Sequence, residues 1–529
     1  MDYVEILDTT LRDGAQTKGI SFTLNDKLKI TEVLDDLGID IIEAGWPGSN
    51  PKDSEFFKVV KEVKLSHSKI AAFGSTRRAY TKVIDDLMMK SILDSEVPVA
   101  VIFGKAWPLH VKEVLHCSEE ENKNMIADSI SYLKDHGLEV IFDAEHFFDG
   151  WKESSSYALD VLRVAYESGA RTVVLCDTNG GTLPTEIREI VRQVRKKFKG
   201  PLGIHAHNDT GVAVANSLVA VEEGIRHVQG TMIGLGERCG NADLTILIPT
   251  LSIKLGYDVL KGKAKEKLKR LTEIANHIGD LLNVNISPSH PYIGRHAFAH
   301  KAGVHVDAVL KNPRTYEHID PSLIGNERLL SISELSGRSA LLYHAEKLGI
   351  KISNDELIKA LREIKELESK GYQLEAADAT IALIILKSIG QLPKFFDVRT
   401  WWVETLNVGK VFSRAIVSLD INDETITVIG EGVGPVHALD EAIRSAISKK
   451  FPMLANVKLI NYKVTVLDSN DGTAATVRVY TEFLFDNKNW ATTAVSRNII
   501  EASLKAILDG YIYLLATMNV KSNFKHKYE

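Results

Sequence analysis

The sequence predicts an α/β chain: a parallel (β/α)8 barrel, then helical subdomains, then an α+β domain at the C-terminal end. Short β-type runs alternate with amphipathic helical stretches eight times in the first half of the chain. Polar residues gather where these runs end, and a strand-rich stretch that leads into a helix occurs twice near the end. Alternating strand and helix signals favour a parallel sheet, and eight such units favour a closed barrel.

Length and composition limit the classes of protein to consider. The 529 residues are too many for one hydrophobic core, so we expect three domains, at residues 1–270, 271–392 and 393–529. Hydrophobic residues make up 44% and charged residues 25%, as in ordinary globular proteins. The net charge of −6 argues against nucleic acid or an anionic membrane as the main partner.

Three features of the sequence favour a cytoplasmic location. The N-terminal residues lack a basic and apolar leader, and no apolar run reaches the ~18 residues of a membrane span. Cys117, Cys176 and Cys239 lie far apart and offer neither a disulfide framework nor a zinc-ribbon spacing. We therefore expect a protein of a reducing compartment with no membrane partner.

The barrel prediction rests on eight runs and on the helices between them. The predicted strands are residues 4–10, 41–45, 69–74, 99–104, 140–145, 172–178, 202–207 and 228–234. Between the first two, Ile30, Val33, Leu34 and Leu37 follow helical spacing, and Gly38 stands where a C-cap falls. Active sites of such barrels lie at the carboxyl ends of the strands.

The carboxyl ends of the predicted strands do carry the polar residues. They are Arg12, Asp13 and Gln16 after strand one, Glu43 on strand two, Glu145 and His146 at the end of strand five, Asp177 and Thr178 at the end of strand six, His205 and His207 on strand seven, and residues 234–241 at and after the end of strand eight. His205 and His207 point to the same side of a strand, so both can reach one metal ion. A pair of hydrogen-bonded histidines is the alternative.

Three separated motifs carry a resemblance to a known family. They read L-D-T-T-L-R-D-G-A-Q from Leu7, I-H-A-H-N-D-T-G from Ile204 and G-L-G-E-R-C-G-N-A-D from Gly234. The chain resembles the 2-isopropylmalate, homocitrate and citramalate synthases, a family of metal-dependent TIM-barrel acyltransferases related to hydroxymethylglutaryl-CoA lyase. Residues 43–53 and 143–150 are most similar to the citramalate branch, and the resemblance continues to the C-terminus.

The resemblance implies a divalent metal ion held by Asp13, His205, His207 and Asn241. Oxygen and nitrogen donors without a thiolate suit Mg²⁺, Mn²⁺ or Zn²⁺, and the sequence leaves the choice open. A metal with open positions suits an α-keto acid, which chelates through its keto and carboxylate oxygens.

The resemblance also implies roles in catalysis. Arg12 and Thr178 are expected on the keto acid, with Gln16 either on the substrate or capping a turn, and Arg12 also stabilising developing charge. Glu145 is expected to remove a proton from the methyl group of acetyl-CoA. Ion pairs are the alternatives: Arg12 with Asp13 or Glu43, and Glu145 with a partner at the barrel rim.

Beyond the barrel, the resemblance implies a small subdomain in which His305 and Tyr316 assist catalysis. Residues 411–429 lead into a helix that ends near residue 448, and residues 462–485 lead into Trp490 and a helix over 496–514. Two βββα-like halves match the regulatory domain of the family, which implies feedback by isoleucine or another branched-chain amino acid. A plain dimerisation module is the alternative.

The resemblance therefore implies a homodimeric synthase of isoleucine biosynthesis that condenses acetyl-CoA with pyruvate. A preference for 2-oxoisovalerate, which would make it a 2-isopropylmalate synthase, is the first alternative, because one or two methyl groups change selectivity by only ~1–3 kcal/mol. An inactive amino-acid sensor is the second alternative. The complete set of polar residues at the strand ends argues against it.

Overall fold

The computed structural model describes residues 2–301, 303–330, 338–407, 409–421, 424–486 and 488–525. These residues form two compact units, Met1–Phe298 with Ile319–Arg328, and Ala299–His318 with Leu329–Glu529. Within the described ranges, no helix is both long and apolar enough to cross a membrane.

The first unit contains the predicted eight-stranded barrel. Its strands are β1 Glu5–Asp8, β2 Ile41–Gly45, β3 Lys69–Ser75, β4 Val99–Lys105, β5 Glu139–Glu145, β6 Thr172–Asp177, β7 Leu202–Ala206 and β8 His227–Gly230. Each strand pairs in parallel with the next, and β1 pairs with β8, so the barrel is closed. The fold class predicted from the sequence is confirmed.

Helices connect the strands and extend beyond the last one. They are α1 Leu24–Leu37, α2 Pro51–Val59, α3 Leu87–Asp94, α4 Pro108–Glu113, α5 Glu119–Asp135, α6 Phe147–Glu167, α7 Pro184–Lys197, α8 Ala213–Glu222, α9 Leu244–Pro249, α10 Ala264–Lys267 and α11 Leu271–Leu282. Thr23 and Asp26 cap α1 reciprocally, and Gly38 ends it with a φ of 93°. The predicted helix end at Gly38 is confirmed.

The inside of the barrel combines apolar and polar side chains. The apolar ones are Leu7, Ile41, Ala71, Phe73, Val99, Val101, Ile141, Val174 and Cys176. Because side chains alternate along a strand, the inward positions toward the carboxyl ends also include Glu43, Asp143, His205 and Gln229, all of them buried. Strand register puts Ala71 beside Glu43, Val174 beside Asp143 and Cys176 beside His205, so the polar residues lie next to apolar ones.

Predicted strands one and eight extend well beyond the observed ones, and strand eight shows why. The sequence pattern extends strand eight to residue 234, but β8 ends at Gly230 and Met232–Gly234 forms a 3-10 turn. Thr231 donates its N–H to Ala242 O at 3.1 Å and accepts from Leu244 N at 2.9 Å. The loop returns to pair with Thr231, so the apolar residues after Gly230 leave the barrel sheet.

The second unit contains helices and two antiparallel sheets. Its remaining elements are β9 Ala299–His300, β10 Leu329–Leu330, α12 Gly303–Lys311, α13 Arg338–Lys347, α14 Asn354–Ser369, α15 Asp378–Ser388, β11 Asp397–Asn407, β12 Val411–Ile421, β13 Glu424–Gly432, α16 Pro435–Ile447, β14 Lys458–Val466, β15 Val477–Phe485, β16 Lys488–Ser496 and α17 Ile499–Lys525. The sheet β11-β12-β13 precedes α16, and the sheet β14-β15-β16 precedes α17. The predicted pair of βββα halves is confirmed.

Two strands of these halves lie outside the stretches that the sequence pattern indicated. The sequence pattern begins the first half at residue 411, but β11 precedes it and pairs with β12 along nearly its whole length. Trp490, expected in a connection to a helix, lies in β16 opposite Phe483. Neither strand shows a clear alternation of apolar and polar residues, because β11 is half-exposed along its length and β16 is buried on both faces.

Candidate active site at the carboxyl ends of the barrel strands

Arg12, Asp13 and Glu43 form one buried ionic cluster. Arg12 Nε donates to Glu43 Oε2 at 2.5 Å, and Arg12 Nη1 forms an ion pair with Asp13 Oδ1. Its guanidinium carbon lies 3.6 Å from the centre of the Phe73 ring. Burial alone would lower the pKa of Arg12, but the charges of Asp13 and Glu43 raise it. The ion pairs predicted as alternatives for Arg12 are therefore present, and they hold its side chain at the barrel mouth.

His205 and His207 lie side by side at the end of β7, with ring centres 5.1 Å apart. Burial lowers the pKa of His205 to about 3, with the charge of Arg12 adding to the shift. Burial, followed by the neighbouring His205, lowers the pKa of His207 to about 3. Both imidazoles are therefore neutral near pH 7 and keep a lone pair for a ligand.

Asn241 approaches the two histidines through a glycine-rich loop. Its backbone pairs with His207, and its Nδ2 donates to Leu235 O at 3.1 Å. A Cβ on Gly236 would lie 2.1 Å from Asn241 Nδ2, and a Cβ on Gly240 would lie 1.9 Å from the carbonyl oxygen of Gly234. Both glycines also have positive φ, so the loop that orients Asn241 requires glycine at these positions.

The donor atoms at this site fit a divalent metal ion. His207 Nδ1, Asn241 Oδ1 and Glu43 Oε1 are buried lone-pair atoms without a hydrogen-bond partner among the described residues. His205 Nε2 and Asp13 Oδ2 lie 3.8 Å apart, wider than the ~3.0–3.4 Å between two neighbouring ligands that each lie about 2.1 Å from one octahedral or tetrahedral ion. Within the described part of the chain, no three His, Cys, Asp or Glu side chains gather into a metal-binding group by themselves. Asp13, His205 and His207 are therefore not gathered into such a group here, and the assignment of a metal rests on the types of donor and on the unpartnered His207 Nδ1 and Asn241 Oδ1.

Glu145 lies at the end of β5, next to Lys105 at the end of β4. The two are register partners, and Lys105 Nζ forms an ion pair with Glu145 Oε2. The side chain of Glu145 is 24% exposed, and that of Lys105 is 12% exposed. The structure thus contains the rim ion pair that was the alternative for Glu145, while leaving part of the carboxylate open to the barrel mouth.

Thr178 connects three of the loops at the rim. Its Oγ1 accepts from His146 N at 2.8 Å, and its carbonyl oxygen accepts from Arg238 Nη2 at 2.7 Å. Arg238 also forms a bidentate pair with Asp209, at 2.8 and 3.0 Å. Because Thr178 Oγ1 accepts from a backbone N–H, its own hydroxyl proton stays available to a substrate.

Gln16 is less constrained than the other predicted substrate contacts. It closes the 3-10 helix Gly14–Gln16, and its backbone N–H donates to Asp13 O at 2.9 Å. Its side chain is exposed. The turn-capping alternative therefore remains open beside the substrate contact.

His305 and Tyr316 lie in the second unit, with their rings 4.1 Å apart and nearly parallel. His305 is on α12, and Tyr316 follows the 3-10 helix Pro313–Thr315. Both side chains are exposed, Tyr316 by 47%. The two residues expected to act together are thus brought into contact with each other.

Sequence reasoning did not single out Lys105, Asp143, Gln229 or Arg238 at this site. Asp143 accepts from Gln229 Nε2 at 3.0 Å, and burial raises its pKa well above the usual value. A lone amide within V-Q-G has no spacing that marks it. The alternation of side chains along β5 was the available signal for Asp143, because it lies two residues before Glu145 and so on the same side of the strand. Gln229 lies opposite His205 only through the β7–β8 register.

Comparison with known proteins agrees with this geometry. The HMGL-like family model matches residues 3–278, the homocitrate synthase post-HMGL domain-like model matches 292–372, and the LeuA allosteric (dimerisation) domain model matches 375–515. An (R)-citramalate synthase of Sulfolobus acidocaldarius is 49% identical over 516 residues, which cover 97% of each chain.

Two further relatives bear on the choice of keto acid. An (R)-citramalate synthase of Aquifex aeolicus is 48% identical over 524 residues, covering 97% of this chain and 98% of the relative. A 2-isopropylmalate synthase of Methanocaldococcus jannaschii is 34% identical over 520 residues, covering 97% and 95%. Similarity therefore runs the length of the chain and is higher to the first kind of enzyme.

Proposed function

We infer the activity from the family, because the chain belongs to the (R)-citramalate synthases, whose barrel is HMGL-like. The chain condenses acetyl-CoA with pyruvate and hydrolyses the resulting thioester, giving citramalate and free CoA. A carbon–carbon bond forms between the acetyl methyl carbon and the keto carbon of pyruvate, and water then breaks the carbon–sulfur bond. The observation that carries this proposal is 49% identity to an (R)-citramalate synthase over 97% of both chains.

The ionic cluster at the mouth of the barrel supports a site for the keto acid. Arg12 is fixed by Glu43 and Asp13, which leaves its remaining N–H groups to meet a carboxylate or a developing alkoxide. Thr178 can donate its hydroxyl proton to the same acid, and Gln16 is an exposed amide on the neighbouring turn. We assign these three residues to substrate binding, and Arg12 also to stabilising charge as the new bond forms.

Glu145 is the proposed base for the methyl group of acetyl-CoA. It is a partly open carboxylate at the end of β5, and Lys105 opposite it holds its orientation. An α-proton of a thioester is weakly acidic, so its removal needs a base placed in advance. The proton passes to Glu145, the enolate that remains attacks the keto carbon of pyruvate, and the resulting alkoxide takes up a proton to give the hydroxyl group of the citramalyl thioester.

Asp13, His205, His207 and Asn241 would hold a divalent cation, and Mg²⁺, Mn²⁺ and Zn²⁺ all suit these donors. When bound, such an ion supplies Lewis-acid polarisation of the keto oxygen. The unpartnered Asn241 Oδ1 and His207 Nδ1 support this assignment.

The stacked pair His305 and Tyr316 supports a role in the second half of the reaction. An imidazole next to a phenol can take a proton from water as it attacks the thioester. Both side chains are open to solvent within their own unit, as a pair that works on a substrate held elsewhere must be. We propose that they assist this hydrolysis or the earlier deprotonation.

We propose that the protein is a cytoplasmic homodimer whose residues 393–529 sense isoleucine, with residues 271–392 linking them to the barrel domain. A cleft of about 700 Å³ on α16 and the start of β14 supports the binding of an amino acid. Asp440, Glu441 and Arg444 line it, and because Asp440 and Arg444 pair with each other at 2.8 Å, an amino acid bound there would have to share or replace that ion pair. Isoleucine is the first choice because citramalate leads toward it.

A coupled assay of thiol release tests the activity. Purified protein is given acetyl-CoA with pyruvate, 2-oxoisovalerate or 2-oxoglutarate. We expect pyruvate to have the highest kcat/KM. A preference for 2-oxoisovalerate would instead make the chain a 2-isopropylmalate synthase, and no turnover with any keto acid would favour an inactive sensor.

A further inference from the structure

Gln229 lies in the centre of a buried chain of polar side chains that crosses the barrel. Its Nε2 is 3.0 Å from Asp143 Oδ1 and 3.5 Å from His227 Nε2. Its Oε1 is 2.9 Å from His205 Nδ1. Gln229 itself is fully buried.

Register explains why these residues meet. In the β7–β8 pair, Gly203 is opposite His227 and His205 is opposite Gln229. Gly203 is needed there, because a Cβ would lie 2.7 Å from the His227 ring. The missing side chain lets His227 occupy the barrel interior below Gln229.

At the other end of this series of polar side chains, Glu5 determines which ring nitrogen of His227 carries the hydrogen. His227 Nδ1 lies 2.7 Å from Glu5 Oε2, and the same carboxylate accepts two N–H groups of Arg171 at 2.9 Å. A carboxylate accepts, so Nδ1 of His227 carries the hydrogen and donates it to Glu5. In the neutral ring, Nε2 then has the lone pair that faces Gln229.

The orientation of the Gln229 amide follows from His227. The Nε2 lone pair of His227 requires a donor, so the –NH₂ group of Gln229 faces it, and Asp143 Oδ1 accepts from the same group at 3.0 Å. Its carbonyl oxygen must then face His205. Since that oxygen can only accept, His205 Nδ1 carries the hydrogen, and His205 Nε2 presents its lone pair toward Asp13.

We propose that Gln229 is a positioning residue that fixes the tautomer of His205, so that Nε2 is ready to bind the metal. The inference rests on the proposed metal site. A histidine that ligates through Nε2 needs its Nδ1 hydrogen held by an acceptor, and loss of such a partner lowers metal affinity typically 10–100-fold. Gln229 supplies that acceptor without adding a charge inside the barrel.

Titration of metal-free protein with Mn²⁺ tests this role without any measurement of activity. Free Mn²⁺ is followed by electron paramagnetic resonance in wild type, Gln229→Met and Asn122→Leu. Asn122 is the matched control, because it is equally buried and its amide also makes two hydrogen bonds, to Lys105 O and Tyr157 OH. We expect Gln229→Met to bind Mn²⁺ about 10–100-fold more weakly, and Asn122→Leu to bind it like wild type.

A double variant exchanges the two groups and should restore part of the binding. Gln229→Glu with Asp143→Asn still offers an oxygen to His205 and receives an amide donor at the new carboxyl group, while His227 Nε2 loses its donor. We therefore expect Mn²⁺ to bind more tightly than to Gln229→Met and more weakly than to wild type. Circular dichroism checks folding, and Gln229→Asn replaces Gln229→Met if the latter does not fold. The shorter side chain cannot span the same partners and should also bind weakly.

The outcomes separate this inference from the metal site itself. If wild type does not bind Mn²⁺, or Asp13→Ala binds it equally well, the proposed metal site fails. If wild type binds through Asp13 but the Gln229 variant binds as tightly, the role of Gln229 is overturned. It is also overturned if Asn122→Leu loses as much affinity, or if the double variant binds no better than the single one.

Discussion

Lys105 and Glu145 are register partners on β4 and β5, and the ammonium group of Lys105 contacts the carboxylate of the proposed base. If Glu145 removes the methyl proton, Glu145→Gln should lower kcat about 10²–10⁴-fold, because the amide cannot accept that proton. Lys105→Met should lower kcat less, because the base keeps its carboxylate and loses only its orientation. Steady-state kinetics with pyruvate and acetyl-CoA measure both.

The same strand provides the control. Glu139, at the other end of β5, pairs with Lys69 at 2.5 Å. Glu139→Gln removes a comparable ion pair at the face of the barrel away from the strand ends, so kcat should be unchanged. If Glu145→Gln retains wild-type kcat and alters only the unfolding transition, Glu145 is an ion-pair partner and another base must be sought.

The proposed metal ligands predict a dependence on divalent ions. Removal of metal with a chelator should abolish thiol release, and Mn²⁺ or Mg²⁺ should restore it, since His207 Nδ1 and Asn241 Oδ1 are unpartnered beside His205 and Asp13. Asp13→Ala should not be restored at the same ion concentration. Full activity of protein shown by elemental analysis to be metal-free would contradict the site.

The sequence alone predicted the barrel and the positions of the residues at its rim, because both produce a periodic pattern of apolar and polar residues along the chain. Parallel strands are apolar runs, and their carboxyl ends are marked by His205, Glu145 and Asp13. Partners across strands left no such signal. Lys105 meets Glu145 only through the β4–β5 register, and Gln229 meets His205 only through the β7–β8 register, neither of which the sequence spacing defines.

Glu5 predicts a loss of stability in acid. Burial raises its pKa, but hydrogen bonds and charges of His227 and Arg171 outweigh burial and bring the pKa to about 2, from 4.5. The folded pKa is lower than the unfolded one, so the stabilisation is present above about pH 4.5 and is lost as the pH falls toward 2. Glu5→Gln should lower the free energy of unfolding at pH 7 by about 2–3 kcal/mol.

Denaturant unfolding at several pH values measures this difference. The gap between wild type and Glu5→Gln should narrow below pH 4.5 and close near pH 2. Asp2→Asn is the control, because Asp2 forms an exposed ion pair with Arg226 at 2.8 Å and should matter less. A gap that stays constant from pH 7 to pH 3 would mean that the Glu5 charge is not what stabilises the barrel.

The C-terminal halves predict feedback inhibition. Isoleucine should inhibit the full chain, and a chain without these halves should be insensitive, as measured by thiol release with isoleucine, leucine and valine. Ending the chain near Leu392 would uncover α15, because Asp378 accepts from Ala491 N at 2.9 Å and Thr380 from Thr493 N at 3.1 Å. A chain that ends before α15 would in turn expose Leu357 and Ile364 of α14, which pack with α15 in one apolar cluster, so circular dichroism must check the folding of either truncation. If the full chain ignores all three amino acids, dimerisation is the better account of the domain.

The last prediction concerns whether His305 and Tyr316 serve the barrel of their own chain or that of a partner. They belong to a different compact unit from Asp13, and in a twofold homodimer each unit can be exchanged symmetrically. Asp13→Ala and His305→Ala chains should each be nearly inactive alone. If the residues act across the dimer, a heterodimer of the two has one site with both lesions and one with neither, so it should show about half the wild-type rate. If they act within one chain, each site of the heterodimer carries one lesion, and no activity should return. Heterodimers purified through two different tags distinguish these cases, and activity no higher than that of either mutant homodimer rules out the shared site.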